Sequence, residues 1–104
     1  PIVQTGLTRH PALPDLPTMM ESGVPDYEVL TFIGVMAPAA TPPAIVARLN
    51  AAINEALQTP EVTATAAKLN ADVRPASAQE FGAFLAREHA KWSEAVRLSG
   101  IKTE

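Results

Sequence analysis

Cysteine is absent from the sequence, which excludes a disulfide, a thiol nucleophile and a thiolate metal site. Basic residues are few as well: eight Lys and Arg stand against eleven Asp and Glu, and the net charge is −3. A general nucleic-acid binder needs a basic face to neutralise phosphates, so the composition argues against nucleic acid as a partner. No stretch approaches the roughly 18 consecutive apolar residues that a membrane-spanning helix needs.

Catalytic motifs are missing too. The sequence has no G-x-S-x-G, no glycine-rich phosphate loop and no H-E-x-x-H. His10 lies among prolines, and His89 follows Glu88 directly rather than at the i+3 or i+4 spacing of a helical metal site. A hydrolase built on Ser22 and His89 would need both residues to meet through the fold. The sequence therefore predicts no enzyme, no metal and no cofactor.

Apolar residues make up 47% of the 104 residues, which predicts a folded chain: one domain, or one piece of a larger one. Of ten prolines, five lie in the first 25 residues, and they predict an extended connector up to Thr18. Thr18 with Glu21 has the capping-box spacing, and Gly23 can end a helix, so we expect a short helix over 18–22. The N-terminus has no initiator Met and no signal-peptide pattern, which we expect of a mature protein or of a fragment that starts inside an element.

Residues 27–37, Y-E-V-L-T-F-I-G-V-M-A, have the strongest strand pattern in the chain because they are rich in β-branched and aromatic residues. Both alternating faces are mostly apolar, which predicts a strand buried on both sides. Gly34 within it indicates a bulge or the close approach of a backbone or ligand. Phe32, two residues earlier, is a candidate ligand wall or a packed core side chain.

Capping residues and apolar spacing predict three helices after this strand. Thr41 as N-cap with Pro42 at the first helical position starts one that runs to about Gln58, with apolar residues at 45, 46, 49, 53 and 57. Thr59-Pro60-Glu61 repeats the start signal for a second helix. Ser77 and Glu80 have the capping-box spacing for the third, whose apolar stripe includes Trp92 as an expected core residue and which ends at Gly100.

The buried strand needs partners, since its edges cannot satisfy their own hydrogen bonds. Short strands at 2–5 and 71–74 could pair with it, or the partners lie on another chain or on a missing segment. We favour the missing segment: the chain has the organisation expected of the last third of an α/β protein.

The order of motifs resembles a known family. R-H-P-A-L-P-D-L-P-T-x-x-E-S-G over 9–23 is followed by Y-E-V-L-T-F-I-G-V-M-A-P-A-A-T-P over 27–42, and then by Thr59-Pro60-Glu61-Val62 and Lys91-Trp92 with 99–102. Together these resemble the C-terminal third of the Bug receptors, the extracytoplasmic solute-binding proteins of tripartite tricarboxylate transporters. Two positions depart from the family pattern: Phe32 stands where a Trp is usual, and Ala40 where a Gly precedes Thr-Pro.

The resemblance implies the α/β class, as a partial lobe of a class II periplasmic-binding-protein fold with few strands and three main helices. Residues 1–104 would form a single partial domain, the C-terminal portion of a two-lobe receptor. Such a receptor is periplasmic, captures a small carboxylate between its lobes and hands it to membrane transporter subunits. Its expected ligand-side residues here are Thr31, Phe32 and Gly34.

A different class of function is a stand-alone interaction module of helices and strand that self-associates and has no transport role. The two ideas are compatible, because a severed lobe can form a homodimer by exchanging strands to cover its open edge.

Overall fold

A computed structural model describes residues 1–101, with three helices in the order α1 (Pro43–Leu57), α2 (Pro60–Lys68) and α3 (Ala78–Ser99). The chain divides into two compact units, Pro1–Met36 and a second that begins at Ala37. Lys102, the last residue of the family-like pattern, lies outside the described residues.

The first unit is built from turns and one isolated parallel bridge between Gln4 and Thr18. The capping box predicted at Thr18 is present: Thr18 N–H donates to Glu21 Oε2 at 2.8 Å, and Glu21 N–H donates to Thr18 Oγ1 at 3.2 Å. The one or two helical turns predicted over 18–22 are present only in part: Ser22 N–H donates to the Thr18 carbonyl at 3.1 Å, and the segment consists of turns rather than a helix. Gly23 adopts a φ of 95°, which glycine reaches without steric cost and which ends the turns.

The predicted strand over 27–37 is wrong. None of its residues belongs to a strand, and residues 31–36 are exposed rather than buried on both faces. Ile33 is 98% exposed and Met36 78% exposed. β-propensity reflects how a side chain fits a half-buried pleated surface, and no neighbouring strand among residues 1–101 supplies that surface. The short strands predicted at 2–5 and 71–74 are absent apart from the single bridge at Gln4.

The helices of the second unit confirm the sequence predictions closely. α1 begins at Pro43, one residue later than expected, so Pro42 is the N-cap and Thr41 is not. α2 begins after Thr59, whose hydroxyl accepts from Val62 N–H at 3.4 Å. α3 has the full Ser77–Glu80 capping box and ends at Gly100 with a φ of 69°.

Two asparagines of α1 hold the connector that leads into α3. Asn50 Nδ2 and Asn54 Nδ2 each donate to the Ala76 carbonyl at 2.9 Å, and Asn54 Oδ1 accepts from Ala76 N–H at 3.3 Å. Because Ala76 directly precedes the N-cap Ser77, these bonds fix where α3 begins relative to α1.

Apolar burial is slight throughout the described residues. The one fully buried side chain among them is Thr18, and no apolar side chain is fully buried. Trp92, expected in the core, is 45% exposed, so that prediction is wrong for this chain. The helical part of the predicted α/β class is confirmed, whereas the described residues hold one bridge in place of its strands.

Candidate functional site

Thr31, Phe32 and Gly34, the predicted ligand-side residues, lie together on the segment 27–36 of the first unit, which contains no strand. All three are exposed, and Phe32 is 44% exposed. Exposure changes abruptly along this segment: residues 27–30 are half-buried, and every residue from Thr31 to Met36 is exposed. The segment therefore presents a hydroxyl, an aromatic ring and a glycine backbone on its accessible part.

The half-buried end anchors the segment. Val29 N–H donates to the Thr5 carbonyl at 3.0 Å. The Leu30 side chain passes close to Gly6, where an added Cβ would lie 3.9 Å from Leu30 Cδ2 and 3.4 Å from the Thr8 carbonyl. The anchoring places the exposed stretch at a defined point of the first unit, directly after Leu30.

A polar cluster centred on Gln4 organises the proline-rich loop. The side-chain Nε2 donates to the carbonyls of Leu13 and Leu16 at 2.8 and 2.6 Å, and Oε1 accepts from His10 N–H at 2.8 Å. The main chain of Gln4 makes two more hydrogen bonds. Its N–H donates to the Pro17 carbonyl, and its carbonyl accepts from Met19 N–H. A loop rich in proline has few N–H donors of its own, so one amide side chain binds carbonyls that would otherwise face water.

An ion pair closes the same loop from the other side. Arg9 Nε donates to both carboxylate oxygens of Glu21, at 3.1 and 2.9 Å, and Arg9 Nη1 donates to the Pro14 carbonyl at 2.9 Å. The hydrogen bonds from Arg9 and then from the Thr18 backbone hold the pKa of Glu21 below its ordinary value, and the same pair raises the pKa of Arg9. These residues belong to the ordered signature at 9–23, and their contacts show a structural role for it.

Sequence reasoning missed Gln4 and the Arg9–Glu21 pair. The separations of 6 to 12 positions follow no helical or strand period. The available signal was the signature itself, in which Arg9 and Glu21 stand at the two ends of the proline run.

Neither histidine forms a catalytic or metal constellation. His10 Nδ1 accepts from Ala12 N–H at 3.1 Å, which makes it part of the loop, and His89 is exposed on α3. The Ser22 hydroxyl donates to the Thr18 carbonyl at 2.9 Å within the turns. Among residues 1–101, no group of three or more His, Asp or Glu side chains could hold a metal ion.

Glu88 and Lys91 form a surface ion pair on α3, and Trp92 contacts both residues. Lys91 Nζ contacts Glu88 Oε1, Trp92 Nε1 donates to Glu88 Oε2 at 3.0 Å, and Lys91 lies 5.7 Å from the Trp92 ring centroid. The hydrogen bond with Lys91, followed by that with Trp92, lowers the pKa of Glu88 despite partial desolvation. No helix within residues 1–101 is both long enough and apolar enough to cross a bilayer.

A family model described as "Tripartite tricarboxylate transporter family receptor" matches residues 2–101. The chain therefore belongs to this receptor family, which confirms the resemblance seen in the ordered motifs. The family is one of solute-binding receptors and not of enzymes.

Three curated relatives agree with this assignment. A UPF0065 protein in the tcbD-tcbE intergenic region of Pseudomonas sp. (strain P51) is 38% identical over 93 residues, covering 88% of this chain and 28% of that protein. A UPF0065 protein in the clcB-clcD intergenic region of Pseudomonas knackmussii is 37% identical over 93 residues, covering 88% and 55%. Protein BugT of Bordetella pertussis is 37% identical over 94 residues, covering 90% and 29%. The chain thus spans between about a quarter and about half of the length of these relatives.

Proposed function

We propose that this chain is the C-terminal portion of a two-lobe periplasmic receptor that captures a small carboxylate for a tripartite tricarboxylate transporter. The observation that carries the proposal is the lack of any fully buried apolar side chain among the described residues, in a chain that covers 28% and 29% of two relatives. Large apolar side chains left at the surface need cover from further protein. The remaining length of such a receptor would supply it.

The candidate ligand contact is the exposed stretch that starts at Thr31. A hydroxyl and backbone N–H groups are the donors that hold small anions without a buried cation, and Gly34 lets a ligand approach the main chain. The Phe32 ring adds an apolar wall beside these polar groups, as ligand pockets commonly do. Closure of a second lobe over this stretch would exclude water and produce the form that membrane transporter subunits recognise.

The test uses a chimera in which this chain replaces the matching 94-residue region of BugT. The probes are citrate and its uncharged trimethyl ester. Binding of each is measured as a change in the thermal unfolding midpoint of the chimera. Citrate is expected to raise the midpoint, since a ligand that binds the folded state stabilises it, and the ester is not. Succinate extends the panel to a dicarboxylate.

Two variants test the ligand residues within the chimera. Thr31→Val combined with Phe32→Ala is expected to abolish the shift, and Thr8→Val, at another exposed threonine of the first unit, is expected to preserve it. A chimera whose midpoint responds to neither carboxylate would contradict carboxylate capture. A shift that survives the double substitution would contradict the assignment of the site.

The second candidate is the self-associating module without a transport role. It is favoured by the exposure of Ile33, Val35 and Met36, at 98%, 69% and 78%. A chain with this role would self-associate on its own and would not restore carboxylate binding to the chimera.

A further inference from the structure

Residues 4–6 are hydrogen-bonded both to the proline-rich loop and to the segment that leads to the candidate ligand residues. Gln4 N–H donates to the Pro17 carbonyl of the loop at 2.8 Å. The Thr5 carbonyl accepts from Val29 N–H of the segment at 3.0 Å. The loop therefore holds this short stretch in place, and the segment is fixed against it.

Gly6, the last residue of this stretch, packs against Leu30 without room for a large side chain. A Cβ atom added to Gly6 would lie 3.9 Å from Leu30 Cδ2 and 3.4 Å from the Thr8 carbonyl oxygen, which are ordinary van der Waals distances. An alanine would therefore fit, whereas the γ carbons of a β-branched residue would press on these neighbours. The backbone angle does not require glycine, since the positive φ angles among described glycines belong to Gly23 and Gly100. Space is therefore the property that favours glycine here.

The hydrogen bond at Val29 decides where a displacement of Leu30 would go. Val29 directly precedes Leu30, and its N–H is held by the Thr5 carbonyl. Residues 27–30 are half-buried, whereas the chain from Thr31 onward is exposed. Because closely packed regions transmit strain, a push on Leu30 moves the main chain on the side that is not held, toward Thr31.

We propose that Gly6 is a positioning residue, which must stay small so that Leu30 can hold the ligand-side residues that begin at Thr31. This inference rests on the proposed function for its ligand, a small carboxylate, and adds to it a residue that acts through Leu30. The groups of a binding site must be held within about half an ångström of the productive geometry by residues whose own packing is fixed. The contacts of residues 4–6 supply that fixed packing.

A size series at Gly6 tests the positioning in the full chain without any ligand. Gly6→Ala is expected to leave the amide NMR chemical shifts of residues 31–34 close to those of the parent, because a Cβ fits. Gly6→Val is expected to change these shifts, and to change them more than the shifts of residues 27–28, which precede the bond at Val29. Gly82→Val is the matched control on α3, where an added Cβ would have nothing within 4 Å, and it should leave the shifts of residues 31–34 unchanged.

A second substitution separates positioning from a general loss of structure. Leu30→Ala removes Cδ2, the side-chain atom that an enlarged Gly6 would meet. The amide shifts of residues 31–34 in the double variant should therefore match those of Leu30→Ala alone. A Gly6→Val change that merely destabilised the first unit would not be compensated in this way, because Leu30→Ala removes further apolar contact. Retention of the helical circular dichroism signal shows that the variants remain folded.

The chimera with BugT measures the consequence for the ligand. In titrations with citrate, Gly6→Val is expected to weaken binding several-fold, whereas Gly6→Ala and Gly82→Val should bind as the parent does. In a Leu30→Ala background, Gly6→Val should cause no further loss of affinity. A double-mutant cycle of this kind reports the coupling between the two positions.

Failure of the positioning role and failure of the proposed function give different results. A parent chimera that binds no carboxylate would contradict the proposed function, and the amide shifts would still decide whether Gly6 positions residues 31–34. Equal amide shifts in Gly6→Val and Gly6→Ala would overturn the positioning role. Altered shifts that persist in the Leu30→Ala background would also overturn it, since the displacement would then pass through Thr8. Equal citrate affinities of Gly6→Val and Gly6→Ala would show that the place of Leu30 does not matter to the ligand and would overturn the inference as well.

Discussion

Arg9 binds Glu21 through a fork across twelve positions of the chain, with Nε at 3.1 and 2.9 Å from the two carboxylate oxygens. The pair is half-exposed, so solvent screens it and its contribution to overall stability is small. The pair acts on the geometry of the loop, because the same guanidinium also binds the carbonyl of Pro14, in the middle of the proline run, and so ties that point to the turns that follow Thr18.

This pair predicts a specific pH dependence. The folded-state pKa of Glu21 lies below its unfolded value, chiefly because Arg9 and then the Thr18 backbone hydrogen-bond to the carboxylate. The Glu21 carboxylate therefore stabilises the fold at pH values above its unfolded pKa of about 4.3. This stabilisation is lost as the pH falls through the folded pKa. An NMR titration should give a Glu21 midpoint below the ordinary range, and Arg9→Met should move it upward. Arg48→Met, on α1, serves as the control and should leave it in place.

Gln4 should control the order of the proline-rich loop. In Gln4→Glu, a carboxylate replaces the amide nitrogen that donates to the Leu13 and Leu16 carbonyls, so acceptor faces acceptor. We expect a loss of about 1–3 kcal/mol of local stability, the usual effect of leaving partly buried groups unsatisfied. Faster amide exchange of Leu13 and Met19 measures it, and Gln79→Glu on α3 is the isosteric control. Unchanged exchange in Gln4→Glu would contradict the role of its side chain.

Local signals predicted the helices well and the strand poorly, for a physical reason. Helix caps contact residues only a few positions away, so they can be predicted from the sequence. Here the caps are Ser77 with Glu80, Thr59 and Gly100. A strand requires a partner, and residues 27–37 have β-propensity without one in the described residues. The Thr18 capping box formed as predicted, but turns rather than a helix follow it.

The candidate site shows the same limit. The family resemblance implied Thr31, Phe32 and Gly34 as ligand-side residues, and their role in ligand binding stays a prediction. The Gln4 contacts and the Asn54–Ala76 bonds join positions 6 to 22 apart through side-chain amides. Such contacts depend on which distant parts of the chain come together in the fold, and the helical or strand periodicity of the sequence does not predict that.

Asn54 should determine how firmly the start of α3 is held against α1. Asn54→Ala removes one of the two side-chain donors to the Ala76 carbonyl and the Oδ1 acceptor of the Ala76 N–H. We expect the unfolding free energy of the second unit to fall by about 1–3 kcal/mol, because a partly buried N–H loses its partner. Faster exchange of the Ala76 amide is the measurement. Glu55→Ala, at the next exposed position of α1, is the control and should not change that exchange.

Asn70 ends α2 in a strained backbone conformation that glycine would relieve. Its φ is 52°, and the bonds from Asn70 N–H to the Ala67 carbonyl and from Ala71 N–H to the Ala66 carbonyl form a Schellman motif. Asn70→Gly should raise stability by up to about 1 kcal/mol, because the left-handed conformation carries no Cβ penalty for glycine. Asn70→Val should lower it by at least as much, since a β-branched residue is strongly disfavoured at positive φ. Thermal unfolding followed by circular dichroism ranks the three side chains, and an order other than Gly above Asn above Val would show that the asparagine side chain, not the backbone angle, holds this end of the helix.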